Sequence, residues 1–273
     1  MPEPMDEARR GDLRTASPPL PLSEPMDERA ISRRTRRSFI GAAIAACGGL
    51  GAWQWLRTRG PVDGMHWPLR RALDLNERVG RALFSDARLT PEAPFGSPRK
   101  GPRVNGDIGL GGVIDSANYR LRVSGLATAD GVGTFSLDQV KAFAPVNVAM
   151  RLHCIEGWSI MVNYTGTRFR DFLERHPAAS TKDGRPPEYA SMATPDGAYY
   201  VGLDMASVLH PQTLLCYAID GEPLTPAHGA PLRLVIPTKY GVKSIKRIGT
   251  IDYTSARPAD YWAQQGYDWF AGL

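Results

Sequence analysis

Cysteine is scarce in this chain: Cys47, Cys154 and Cys216 are the only three in 273 residues. That excludes a dense disulfide framework of the kind that staples small exported domains. There is no Cys-x-x-Cys pair and no close His-x₃₋₅-His pair, so a structural zinc site lacks ligands at the required spacings. The absence of Cys-x-x-Cys-His excludes a covalently attached haem. No internal repeat is found, and no DNA- or RNA-binding motif accompanies the net charge of +5. Nucleic acid is therefore not an expected partner. Long apolar runs are also missing, with one exception near the N-terminus.

That exception is the uncharged, Ala/Gly-rich stretch Phe39 to Leu56, preceded by Arg33-Arg34-Thr35-Arg36-Arg37-Ser38. A basic segment followed by an apolar one is an export signal. Thr35-Arg36-Arg37-Ser38-Phe39-Ile40 resembles the twin-arginine consensus, whose pathway carries folded and often cofactor-loaded proteins. The expected location is periplasmic. After the run no clear Ala-x-Ala-like cleavage site follows. Ile44-Ala45-Ala46-Cys47 resembles a lipoprotein box that would make Cys47 lipid-bearing, and residues 39–56, about 27 Å long as a helix, would serve equally as a short membrane anchor. Either outcome tethers the protein, whereas plain cleavage leaves it soluble.

Residues 1–30 are rich in Pro, Glu, Asp and Arg and hold few large apolar groups. Such a segment cannot offset the entropy of ordering, so disorder is expected. The reading of the whole chain is thus a disordered extension over 1–30, a signal or anchor over 31–56, and one globular domain over 57–273. The 42% hydrophobic and 22% charged content suits that size. Residues 1–56 hold eight Lys/Arg and seven Asp/Glu, which leaves 25 and 21 in the remainder. The basicity belongs to the domain, where it is either a solvated face or a cleft that gathers anions.

Local patterns predict a helix over Pro68 to Leu83, then Pro-punctuated loops with an Asn105-Gly106 turn. Strands are expected over Tyr119 to Leu126, Val146 to Leu152, Tyr189 to Thr194 and around Thr213 to Ile219, with Cys216 buried. Ser136 reads as the N-cap of a short helix. Thr167 to Arg175 reads as an amphipathic helix with Phe169, Phe172 and Leu173 inward.

Two stretches carry chemistry. In Arg151-Leu152-His153-Cys154-Ile155-Glu156-Gly157-Trp158-Ser159 a lone cysteine sits beside cationic groups that favour the thiolate, the form that binds metal or attacks substrate. A packed thiol at a strand end is the plainer alternative, and a Cys154–Cys216 disulfide is compatible with the sequence. The second stretch is His228-Gly229-Ala230-Pro231-Leu232-Arg233-Leu234-Val235-Ile236-Pro237, followed by Lys239-Tyr240-Gly241-Val242-Lys243-Ser244-Ile245-Lys246. It combines a turn, a strand, basic side chains and free amides near Gly241, an arrangement suited to a phosphate.

Together these stretches resemble the sulfite oxidase-like molybdopterin oxidoreductases, in particular the exported branch that contains the protein-methionine-sulfoxide reductase catalytic subunit. The resemblance covers roughly Arg103 to Leu273. It implies an α+β fold of mixed sheets with packed helices around a molybdenum-molybdopterin cofactor, without the C-terminal dimerisation domain of sulfite oxidases proper. It implies Cys154 as the molybdenum ligand, Tyr199 as a pocket tyrosine, and Asn105, Thr194, His228, Arg233, Lys243, Ser244 and Lys246 as cofactor contacts. Thr194 reads equally as the start of a turn before Pro195-Asp196-Gly197, and Tyr199 as strand-edge packing. One departure is Asn163-Tyr164-Thr165-Gly166, where the family has Trp-x-Gly.

The function implied is oxygen-atom transfer. Sulfite oxidases carry an arginine shortly after the ligand cysteine, where this chain has Glu156 and Trp158. That favours a small-molecule or peptidyl sulfoxide over sulfite, with electrons from a membrane-bound haem- or quinol-linked donor. Sulfite oxidation is the alternative, and a cofactor-free binding protein that keeps the fold is an answer of another class.

Overall fold

A computed structural model describes residues 28–62, 64–97 and 102–273. The expected disorder of residues 1–27 concerns positions outside the described ones, and residues 28–30 belong to the first helix. The chain divides into a helical unit ending at Arg57 and a unit Thr58–Leu273.

The first unit contains α1 (Glu28–Arg57). Its segment Thr35–Arg57 has a mean hydropathy of 1.3 and is long and apolar enough to cross a membrane.

The second unit begins with α2 (Trp67–Leu83), which carries Pro68 in its first turn, where the missing N–H costs nothing. Then follow β1 (Glu92–Ala93), β2 (Arg120–Ser124), β3 (Val132–Ser136), α3 (Leu137–Lys141), β4 (Val146–His153), β5 (Ser159–Arg168) and α4 (Phe169–Arg175). The remainder is β6 (Tyr189–Ala193), β7 (Tyr200–Asp204), α5 (Met205–Val208), β8 (Leu214–Ile219), β9 (Glu222–Pro223), β10 (Arg233–Val235), β11 (Thr250–Thr254) and α6 (Tyr261–Gln264).

The strands form two sheets. One runs β1-β4-β5-β8-β10 with β9 added to β8, all pairs antiparallel. The other runs β3-β2-β11-β6-β7 and is mixed, because β11 pairs parallel with β2 and antiparallel with β6. The main core joins them: Leu121, Val123, Met192, Val201 and Ile251 of the mixed sheet meet Leu215 and Leu234 of the other and Leu232 just before β10, with Phe169 and Phe172 of α4 in the same cluster. A second cluster, including Met150, Tyr164, Cys216 and Val235, covers the other face of the antiparallel sheet. The expected α+β architecture is the one observed.

Local chemistry explains the boundaries. Ser136 caps α3 through a reciprocal pair of bonds with Gln139. The predicted helix at Thr167 starts two residues later, because Thr167 and Arg168 stay in β5 opposite Leu215 and Leu214, and the Thr167 hydroxyl donates to Val140 O at 2.7 Å. Cys154 and Cys216 are both free thiols, the latter buried, so the disulfide alternative is not realised.

Candidate active site

Cys154 lies at the tip of the hairpin between β4 and β5. The connection closes tightly: Cys154 N donates to Trp158 O at 2.8 Å and Gly157 N to Cys154 O at 3.1 Å. Gly157 adopts φ +88°, a left-handed conformation that side-chain-bearing residues rarely take. The register of β4 against β5 alternates side chains, so His153 borders one cavity while Leu152 and Cys154 border another.

The Cys154 cavity has a volume of about 230 Å³. It gathers Cys154, Asn105, Tyr199, Arg233, Ser244 and Lys246 from five separate stretches of chain. Three of the predicted site residues do not line it. Thr194 is buried at the β6–β7 turn, where its hydroxyl donates to Asp196 at 2.6 Å and accepts from Tyr199 N at 3.1 Å. His228 bridges Thr225 Oγ1 (2.8 Å) and Pro102 O (3.4 Å), with burial holding its pKa below the ordinary imidazole value. The ammonium of Lys243 turns away into the protein, where it donates to Asp260 at 2.5 Å and Gly202 O at 2.9 Å. Thr194 and His228 thus support the loops around the site, and Lys243 ties the segment beneath it.

Asn105 is delivered by the loop 102–112, which two adjacent cations clamp. Lys246 donates to Asn105 O (2.7 Å), Gly106 O (2.9 Å) and Ala227 O (2.8 Å). Arg247 donates to Gly111 O (2.9 Å) and Gly112 O (3.1 Å). Held so, the Asn105 amide reaches Cys154 Sγ at 3.5 Å and Glu156 at 3.4 Å. The Glu156 carboxylate also accepts from Trp158 Nε1 at 2.8 Å, and Arg103 lies 4.7 Å over the Trp158 ring. The Trp158 bond foremost, then Asn105 and Arg103, hold the Glu156 pKa below the usual carboxylate range. This exposed group is therefore an anion at neutral pH.

Arg233 and Lys246 also line the cavity. Arg233 donates to His228 O (3.2 Å) and Ser244 O (3.3 Å), while its Nε is buried without a partner. Burial, and then repulsion from Arg233, lowers the Lys246 ammonium to about 8. Two neighbouring cations lining one cavity describe a site suited to an anion. Gly241 packs closely: a Cβ there would stand 3.2 Å from Leu152 and 3.3 Å from His153 O, so a side chain would need its neighbours to give. Tyr199 donates to Val242 O at 2.5 Å, and burial raises its pKa, keeping it a neutral phenol.

Among the described residues no three His, Cys, Asp or Glu side chains converge as a metal-holding group. A metal at Cys154 would therefore take its remaining ligands from the molecule that carries it. One cysteine sulfur, neighbouring cations and neutral hydrogen-bond donors fit a metal delivered by an anionic organic cofactor.

Sequence reasoning missed Trp262 and Tyr267, which also line the cavity. They arrive from the C-terminal segment, more than a hundred positions from Cys154, and no local pattern announces that approach. It also missed Arg247, whose only sequence signal is adjacency to Lys246.

Residues 109–262 match the family model described as "Oxidoreductase molybdopterin binding domain". The YedZ1 protein of Azospira oryzae is 38% identical over 159 residues, 58% of this chain and 58% of that protein. The protein-methionine-sulfoxide reductase catalytic subunit MsrP of Xanthomonas axonopodis pv. citri is 36% identical over 48% of this chain and 44% of its own. The MsrP of Campylobacter jejuni is 31% identical over 61% of this chain and 60% of its own. The chain spans between 44% and 60% of the length of these relatives.

Proposed function

The chain belongs to the oxidoreductase molybdopterin-binding domain family, and from that premise we propose that its cleft holds molybdenum-molybdopterin and reduces a small-molecule or peptidyl sulfoxide. The observation that carries this reading is that Cys154 and the cations Arg233 and Lys246 line one cavity. The names of the MsrP relatives support the substrate class.

When bound, the cofactor supplies the two-electron redox chemistry that moves an oxygen atom. The overall change consumes a sulfoxide, two electrons and two protons and gives a thioether and water. In this reading Cys154 anchors the metal, and Asn105 donates toward its sulfur. Arg233 faces the anionic end of the cofactor, and Lys246 adds its charge while its three N–H groups hold Asn105, Gly106 and Ala227. Ser244 and Tyr199 border the cofactor with neutral polar groups, and Thr194 and His228 fix the surrounding loops. Ile108, Ile155, Trp158, Trp262 and Tyr267 supply apolar surface to the cleft. Glu156, ionised beside the thiol, disfavours a dianion such as sulfite and leaves a neutral sulfoxide unhindered.

The test is purified holoenzyme assayed with a viologen donor and methionine sulfoxide, beside sulfite with an electron acceptor. Sulfoxide reduction without sulfite oxidation is expected. Fast sulfite turnover with no sulfoxide reduction would reverse the assignment.

The reading extends to location. Residues 31–56 act as a twin-arginine signal, and residues 39–56 or a lipid on Cys47 tether the protein to the membrane that houses its haem- or quinol-linked donor. Replacing Arg36 and Arg37 by lysine is expected to leave cofactor-loaded protein in the cytoplasm, because the paired arginines are the address that the pathway reads. Cell fractionation checks this, and undiminished periplasmic accumulation would refute it.

A further inference from the structure

Helix α2 is turned inside out. A surface helix ordinarily directs its apolar stripe at the core and its charges at water. Here Arg70 and Glu77 are 4% and 8% exposed, whereas Leu69, Leu75, Val79 and Leu83 are 58%, 58%, 50% and 62% exposed. The inward polar face is firmly held. Arg70 donates to the carbonyls of Ala263 (2.7 Å), Tyr267 (3.1 Å) and Val62 (3.4 Å). Glu77 pairs with Arg81 at 3.0 Å and Arg257 at 2.8 Å, and Arg257 also reaches Asp74 at 3.6 Å. At Gly80 a Cβ would come within 2.5 Å of the Phe270 ring. The orientation is thus fixed from the protein side.

At about 3.6 residues per turn, Leu69, Ala72, Leu75, Val79, Ala82 and Leu83 form one stripe opposite Arg70 and Glu77. Arg71 and Arg78, both exposed, border it. Leucine and valine with flanking arginines make up a helix that lies in a membrane interface: the apolar groups enter the acyl boundary and the guanidinium groups stay with anionic headgroups. The helix also follows the membrane-length segment Thr35–Arg57 after residues 58–66 alone, a linker that reaches roughly 30 Å at full extension.

We propose that the outward face of α2 docks on an anionic lipid surface and lays the Thr58–Leu273 unit against the membrane. The inference rests on the tethered reading of residues 39–56 and not on the chemistry of the cleft. It has a geometric consequence, because Leu83, the last residue of the stripe, also lines the cavity of about 510 Å³ that reaches His153, the residue before Cys154. Docking turns that cavity toward the compartment that holds hydrophobic electron donors.

Among the described residues the unit Thr58–Leu273 contains all eleven strands and all three apolar clusters, so it folds on its own core. It is expected to cosediment with vesicles of phosphatidylcholine and phosphatidylglycerol. The variant L75S/V79S/L83S should bind at least about tenfold more weakly, since each change removes apolar surface from the bilayer contact. Its thermal unfolding should be unchanged because these side chains face outward. R71Q/R78Q should weaken binding to the anionic vesicles and flatten its salt dependence. Absence of vesicle binding by the parent unit, or equal binding by the triple-serine variant, would overturn the proposal. So would self-association that the triple-serine variant abolishes in the absence of lipid binding, which would make a second copy the occupant. All readouts are independent of cofactor and turnover.

Discussion

Cys154→Ser is expected to give a folded protein whose turnover is reduced by at least about a hundredfold. Loss of groups that merely support a metal ligand costs about 10–100-fold, so replacing the ligand itself should cost more. A serine hydroxyl is a hard, weakly acidic donor where a soft thiolate is needed. No neighbour stands ready to substitute: His153 borders the other cavity, and the Glu156 carboxylate is engaged by Trp158 and Asn105. The fold should tolerate the change, because the loop is closed by backbone bonds at Cys154, Gly157 and Trp158 that do not use the sulfur. A stability change within about 0.5 kcal/mol is expected. Thermal unfolding, molybdenum content and kcat measured on the same preparation separate these effects. Normal turnover with molybdenum bound in the serine variant would show that Cys154 is not the ligand.

Much of the architecture was legible because it is written locally. Pro68 announces the start of α2, Ser136 and Gln139 spell a capping box, and the alternation around Val123 and Met192 marks half-buried strands. What was not legible is direction. The periodicity of α2 reveals two unlike faces, but nothing in a period of 3.6 says which of them meets the protein. Arg70 and Glu77 turn inward only because the carbonyls of Ala263 and Tyr267 and the guanidinium of Arg257 wait there, nearly two hundred residues later.

The same limit applies to the cleft. Of the residues that the family resemblance implied, Cys154, Asn105, Tyr199, Arg233, Ser244 and Lys246 line one cavity. The resemblance did not decide where the Lys243 side chain goes. In a tight turn two lysines three positions apart can serve opposite sides of the chain, and here Lys246 clamps the Asn105 loop while Lys243 is buried beneath the site. Asp260, which anchors Lys243, and Asp204, which anchors Lys239, are N-caps of α6 and α5 and gave no sign in the sequence of a second role.

That second role leads to the other large expected effect. Lys243→Met should destabilise the protein by roughly 3–5 kcal/mol, the typical cost of stranding one member of a buried ion pair. Both side chains are nearly inaccessible, at 1% and 3% exposure. Without the ammonium, Asp260 would retain only the amides of Gly202 and Ala263, at 3.2 and 3.0 Å, to compensate its charge. Adding Asp260→Asn should restore part of the loss, because asparagine is uncharged and its oxygen still caps α6. The neighbouring pair Lys239–Asp204, 2.9 Å apart, supplies an internal comparison. Burial pushes the Asp204 carboxyl up, but Lys239 and the Ser207 bonds prevail and hold it below the usual range. A carboxylate with a depressed folded-state pKa stabilises fully above its unfolded value, and that contribution is lost as pH falls through the folded one. Acid should therefore weaken the protein through Asp204 in the parent and also in variants that lack the Lys243 pair. Denaturant unfolding of the single and double variants across neutral and acidic pH measures both effects. Cofactor content per folded molecule decides what Lys243 is for: its ammonium lies outside the cleft, so variants that remain folded should load normally, and a stable Lys243→Met protein that fails to load would return this lysine to the cofactor.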